Sequence, residues 1–149
     1  LKACPKNFHI KVEVSTVFME CEKKLLLLQR SSHKEISPDT WAIPGGKLEK
    51  KETPLEGLVR EIEEELQLSP SPEVLKHIRS LYVRHPLVRY RLHLFQWLVH
   101  SIPNITINPE EHQAFVWQPI DKFGDLPLLE GQLEAFHFVY GPEFGRHVN

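Results

Sequence analysis

Glu61, Glu63, Glu64 and Glu65 stand within five consecutive residues, with Ile62 as the only interruption. On a helix, like charges three and four residues apart repel one another, and carboxylates near a C-terminus oppose the negative end of the macrodipole. Something must offset that cost. At about 100° per residue Glu61, Glu64 and Glu65 share one flank while Glu63 points elsewhere, and Gly57, one turn upstream, leaves space above them. Three converging carboxylates with open coordination positions suit magnesium or manganese, which keep several waters and take up substrate phosphates. Just upstream lies Pro44-Gly45-Gly46-Lys47. Two glycines allow close backbone approach to a ligand, and a carbonyl exposed in that turn could add a metal ligand. A merely solvated acidic face would leave both Gly57 and this turn to be explained separately.

The helix that positions these groups has a well-marked start. Thr53 is placed as N-cap, Pro54 at the first helical position, and Glu56 three residues after Thr53 to complete a capping box. Leu55, Leu58, Val59, Ile62 and Leu66 fall within roughly 50° of one direction, an apolar stripe that belongs on a sheet. Strands are expected from the alternating His9–Met19, from the more buried Lys24–Arg30, which would close a hairpin, and from a short piece broken at Pro44, Gly45 and Gly46. Ser69-Pro70-Ser71-Pro72 ends the acidic helix, and further strands follow in RSLYVRH, RYRLHLFQWLVH and QAFVWQPI. Leu129, Leu133 and Phe136 or His137 then fall at helical spacing, which predicts a closing helix interrupted by Gly131.

With 149 residues the chain suits one domain, residues 1–149, large enough to bury a core without disulfides or a structural metal. Lys plus Arg number 18 against 20 Asp plus Glu, so no general field draws it to nucleic acid or membrane, and a polyanion site has to be local. Cys4 and Cys21 form neither a metal motif nor a disulfide framework. No stretch approaches a membrane span and the start lacks an apolar signal region, so a cytoplasmic protein is expected. Because residue 1 is Leu rather than Met, a removed targeting segment stays open.

Gly46, five residues, Glu52, seven residues, Arg60-Glu61-Ile62, one residue, Glu64-Glu65, one residue and Leu68 together resemble the Nudix box over 23 residues. Where the family has Gly before the final apolar residue this chain has Gln67, which predicts a different local turn at the helix end and leaves the acidic flank untouched. The resemblance implies the Nudix fold, an α/β/α sandwich with a mixed β-sheet. It implies hydrolysis of a nucleoside diphosphate linked to another group, with Mg2+ or Mn2+ held by Glu61, Glu64, Glu65 and the Gly45 carbonyl. Glu61 and Glu64 become catalytic, and Glu52 and Arg60 match the pair that supports them. Glu111, six residues before Trp117, resembles the additional ligand or general base of a late loop, with Glu110 as the alternative.

WAIPGGKLE after LLLLQR resembles the mutator-type branch, which splits nucleoside triphosphates into monophosphate and pyrophosphate. On that likeness Arg30, Gly45, Gly46 and Lys47 face substrate, the Arg30 guanidinium being suited to bidentate phosphate contact. EHQAFVW resembles the late strand of dinucleoside polyphosphate (diadenosine tetraphosphate) hydrolases, which keeps the chemistry and changes the substrate. The branch's late Asn, which reads oxidised guanine, has no match here: DLPLLEG offers Asp125 or Glu130. A reading of another class is a non-catalytic nucleotide-binding module; converging carboxylates together with Glu52 and Arg60 argue against it. Arg84, His85, Arg89 and Arg91 form a local basic cluster read as solvated strand edges, so nucleic acid is not supported. The nine histidines lack metal spacing, and Trp41, Trp97 and Trp117 are placed in the core or sheet.

Overall fold

A computed structural model describes residues 12–84 and 89–143. The described strands are β1 (Val12–Cys21), β2 (Lys24–Arg30), β3 (Trp41–Ala42), β4 (Gly45–Lys47), β5 (Lys76–Arg84), β6 (Arg89–Leu98) and β7 (His112–Pro119), and the α-helices are α1 (Pro54–Leu66) and α2 (Gln132–Tyr140). His9–Lys11 of the expected first strand, together with Cys4 and His85, lie outside the described residues.

The strands form one mixed sheet in the order β3-β2-β1-β6-β5, with β4 also paired to β1 and β7 to β2. Among the described strands β1 and β6 pair in parallel and the other ladders are antiparallel, with an isolated parallel bridge from Trp41 to Leu128. The expected β1–β2 hairpin is present, closed by Glu22 and Lys23 at φ 50° and 62°, the positive angles that a two-residue turn requires. Beyond that turn β1 changes partner, from β2 to β4, where Ser15 faces Gly46 and Thr16 faces Gly45. The sheet opens at this change, and the cavity described below forms there.

Both faces are apolar. Leu26 and Leu28 of β2 join Val17, Met19 and Phe95 beneath Leu58, Ile62 and Leu66 of α1, while Leu25 and Leu27 join Phe18 and Leu94 beneath Phe123 and Phe136. The four consecutive leucines read as buried because a strand covered on two faces needs apolar side chains at every position. Trp41, Trp97 and Trp117 pack against these clusters, as expected. The result is the predicted α/β/α arrangement.

At the start of α1 the capping box forms in full: Glu56 N–H donates to Thr53 Oγ1 (3.1 Å) and Thr53 N–H to Glu56 Oε1 (2.9 Å), with Pro54 in the first turn. The expected closing helix differs. It is not interrupted at Gly131 but starts there, with Gly131 as N-cap at φ 91° and the helix running from Gln132. Leu129 belongs instead to an extended approach: Trp41 N–H donates to the Pro127 carbonyl (2.9 Å) and Leu129 N–H to the Trp41 carbonyl (2.8 Å). Pro127 and the left-handed Gly131 favour that approach over a longer helix.

Candidate active site

One cavity of about 610 Å³ lies where β1, β4, α1 and the segment before β7 meet. Glu61, Glu64 and Glu65 of α1, Gly45, Gly46 and Lys47 of β4, Arg30 at the end of β2 and Glu111 all border it. Glu63 and Glu110 are exposed and do not, and neither does Asp125, whereas Glu130 does. Of the two late-loop candidates, then, Glu111 is the one brought to the carboxylate flank.

Arg60 ties the acidic flank together. Its Nε and Nη2 bind both oxygens of Glu52 (2.8 and 2.9 Å), Nη2 also reaches the Lys47 carbonyl (2.9 Å), and Nη1 contacts Glu61 (3.0 Å) and Glu64 (3.2 Å). The bond from Arg60 holds the Glu52 carboxyl below its ordinary range, and Glu52 in turn raises the Arg60 guanidinium. Lys47 contributes its backbone to this clasp while its side chain stays exposed at the cavity edge.

Glu61 and Glu65 are in the opposite condition. Burial raises the pKa of Glu61 despite its contact with Arg60. Glu65, with a side chain 12% exposed, is pushed well above the usual carboxylate range, first by burial and then by the fields of Glu61, Glu111 and Glu64. One Gly45 N–H donates to Glu65 Oε1 (2.8 Å) and partly opposes this. His112 Nε2 stands 3.7 Å from Glu65 Oε2, but burial lowers the imidazole pKa, so at neutral pH it brings no charge.

The glycines have separate duties. A Cβ on Gly46 would collide with the Glu61 carboxylate, and one on Gly45 would come within 2.7 Å of Thr16 Cα, so both are needed for α1 and β1 to close on β4. Gly57 corrects an expectation: its missing side chain makes room for Leu48, not for a ligand over the glutamates. Gln67 corrects another. It adopts the left-handed conformation (φ 56°, ψ 41°) with its N–H on the Glu63 carbonyl, which is the cap a glycine would make.

The donor set fits a hard divalent cation: carboxyl oxygens share one wall, and the ionised form of the buried Glu65, which its carboxylate neighbours oppose, is the form a cation would favour. Among the described residues no group of three or more His, Cys, Asp or Glu side chains is gathered closely enough to hold a metal in this arrangement. Arg60 bridges Glu61 and Glu64, and Lys34 holds Glu111 at 2.6 Å. The helical wheel thus assigned the flank correctly but not the resting positions of its charges.

The NUDIX domain family model matches residues 9–140. This chain belongs to the Nudix family. CTP pyrophosphohydrolase of Escherichia coli (strain K12) is 33% identical over 128 residues, covering 80% of this chain and 89% of the relative. Two solved Nudix-fold neighbours have a TM-score of 0.73: the MutT protein of Methanosarcina mazei Go1, 21% identical over 89% of this chain and 94% of that one, and the NUDIX domain of Shewanella oneidensis NrtR complexed with ADP ribose, 18% identical over 92% and 91%. At these identities the two structures speak for the fold. By family and by its bacterial relative the chain is a Nudix pyrophosphohydrolase.

Several residues around the Nudix cavity were not visible in the sequence. Asn108, His112, Tyr90 and Gln132 border it, and Lys34 reaches it through Glu111. His112 directly follows Glu111, but nothing in its spacing sets it apart from other strand histidines. Gln132 uses its side-chain oxygen to accept the Ile43 N–H (2.9 Å), a tie across 89 positions that no local pattern announces. Arg30 borders the cavity as expected, yet its Nε and Nη2 both donate to the Ile36 carbonyl (3.1 and 2.9 Å), so those donors hold the loop after β2. Arg91 stacks over Tyr82 at 5.3 Å and Arg84 stands opposite Arg89 across the β5–β6 ladder; these arginines do not border the cavity, although Val83 and Tyr90 between them do. Among the described residues no helix is long and apolar enough to cross a membrane.

Proposed function

We propose that this Nudix pyrophosphohydrolase converts a nucleoside triphosphate to its monophosphate and pyrophosphate, with Mg2+ or Mn2+ held by Glu61, Glu64, Glu65 and the Gly45 carbonyl. The observation that carries the reading is the meeting of Glu61, Glu64, Glu65 and Glu111 around one cavity that Gly45, Gly46 and Lys47 also border. Its volume, about 610 Å³, lies in the range of small-molecule sites. The name of the bacterial relative makes cytidine triphosphate the first substrate to test.

A bound divalent cation would polarise phosphate oxygens and ease deprotonation of a water. The protein's own part is positioning. The Arg60–Glu52 clasp fixes the α1 flank, the Gly45 N–H aims Glu65, and the Lys47 ammonium would meet substrate phosphates, joined by the Arg30 guanidinium where it exchanges the Ile36 carbonyl for a phosphate. Glu111 has its carboxyl held below the ordinary range by Lys34, so it is ionised at neutral pH and able to accept the proton of the attacking water. Water oxygen adds to the α- or β-phosphorus, the P–O bond of the anhydride between them breaks, and pyrophosphate or the nucleoside monophosphate, respectively, departs with the electron pair.

The test is incubation with magnesium and a panel of canonical and oxidised nucleoside triphosphates plus diadenosine tetraphosphate, with products separated by ion exchange. Monophosphate and pyrophosphate from CTP or another triphosphate support the proposal. Preferential cleavage of the dinucleotide moves the substrate and keeps the site; binding without turnover of any member would replace hydrolysis by a nucleotide-binding role.

A further inference from the structure

Glu111 is engaged by a cation of the protein's own, the ammonium of Lys34. Lys34 Nζ stands 2.6 Å from Glu111 Oε2, and the lysine side chain is the less exposed partner, 25% against 50% for the glutamate. The contact is prepared by the backbone and not left to chance. The loop between β2 and β3 is stitched to Glu111's own segment: Ser31 N–H donates to the Glu111 carbonyl (3.1 Å), Ser31 Oγ to the Pro109 carbonyl (3.1 Å), and Gln113 Nε2 to Asp39 Oδ1 (2.6 Å). The Arg30 bonds to Ile36 brace the same loop from the other side. Lys34 and Glu111 are therefore carried on what is mechanically one unit, and little ordering entropy is left to oppose their pairing.

We propose that Lys34 is a positioning residue that acts as a tethered counter-ion of Glu111 and competes with the divalent cation for that carboxylate. This rests on the metal-site reading above and adds Glu111, which borders the same cavity, as a further ligand that the cation draws on before water is activated. A cation that draws on Glu111 must first displace the ammonium, so the loop sets how much free metal the cavity needs. Displacement also frees the Lys34 ammonium beside Glu111 with its charge intact, available to a polyphosphate that reaches that residue.

The test is Mn2+ binding to the full chain without nucleotide, read by electron paramagnetic resonance, in the wild type, Lys34→Met, Lys34→Arg, Glu111→Gln and the Lys34→Met/Glu111→Gln double variant. Lys34→Met is expected to tighten Mn2+ binding about five-fold, the scale of one partly exposed ion pair. Lys34→Arg, which keeps the charge, should stay near wild type. In the Glu111→Gln background the lysine substitution should change nothing, because the contested carboxylate is gone. An unchanged or weakened Kd in Lys34→Met, with wild-type circular dichroism, overturns the competition. Absence of Mn2+ binding by the wild type would overturn the metal reading itself and the proposal with it, an outcome distinct from normal binding that ignores Lys34.

Discussion

The two ends of α1 follow opposite rules. At the N-terminal end each local preference is met: Thr53 and Glu56 cap one another, Pro54 occupies the first turn, and acidic Glu56 faces the positive end of the macrodipole. At the C-terminal end three preferences fail together. The last turns carry Glu61, Glu63, Glu64 and Glu65 with no basic residue in the final turn, two of those carboxylates have raised pKa values, and the cap is a left-handed Gln67. One end is optimised for the helix and the other concedes helix stability to the cavity. The concession in charge is what a metal and polyphosphate site requires; the concession in the cap has no such purpose, and the two can be separated by substitution.

The largest effect should come from the acidic end. Glu64→Gln removes a charge from a side chain that is 58% exposed and makes no core contact, so turnover should fall by a hundred- to a thousand-fold, about 3–4 kcal/mol of barrier. Stability should move by no more than about 0.5 kcal/mol. Steady-state kinetics beside thermal unfolding checks both halves, and an unaltered kcat would remove Glu64 from the metal site.

Next comes the residue that binds the acidic end to the loop ahead of the helix. Arg60→Met strands Glu52 and Glu61, whose side chains are 17% and 15% exposed, and should lower stability by about 3 kcal/mol. For a chain of this size that is a fall in Tm of about 10 °C. Mg2+ should restore more Tm in the variant than it adds to the wild type, because the ion then supplies countercharge that Arg60 no longer provides. Equal increments in both proteins would mean that the clasp and the cation do not share those carboxylates.

How far these features were legible in the sequence depended on how local they are. The capping box, the apolar stripe and the acidic flank are written within one helix, where spacing alone fixes direction, and they were read correctly. Gly57 was misread because its neighbour is Leu48, nine positions away across a turn, which no helical wheel contains. The start of α2 was misplaced because Leu129 had helical spacing but found a backbone partner in Trp41. Lys34, His112 and Gln132 join the site only through tertiary contacts with Glu111, Glu65 and Ile43, and their own surroundings in the sequence are those of an ordinary polar loop, strand or helix.

The remaining contrast between the helix ends can be resolved by exchanging their quality. Thr53→Ala should destabilise by about 1 kcal/mol through loss of the side-chain acceptor for the Glu56 N–H, with kcat unchanged, because this end does not border the carboxylate-lined cavity. A fall in kcat would show that the cap, through α1, aims the carboxylates.

Gln67→Gly should act in the other direction and more weakly. The left-handed conformation costs a side-chain-bearing residue about 1–2 kcal/mol. Glycine removes that strain but returns part of it as greater freedom of the unfolded chain. The net gain should be about 0.5 kcal/mol, seen as a rise of 1–2 °C in Tm, roughly by the size scaling of unfolding entropy. Because the N–H of residue 67 already reaches the Glu63 carbonyl, glycine needs no new turn to take its place. Turnover should stay at wild type, since Gln67 is exposed and does not border the cavity. If Gln67→Gly instead loosens the cap and lowers kcat, the conceded cap and the acidic flank are one device, and the helix end is strained for the sake of the site.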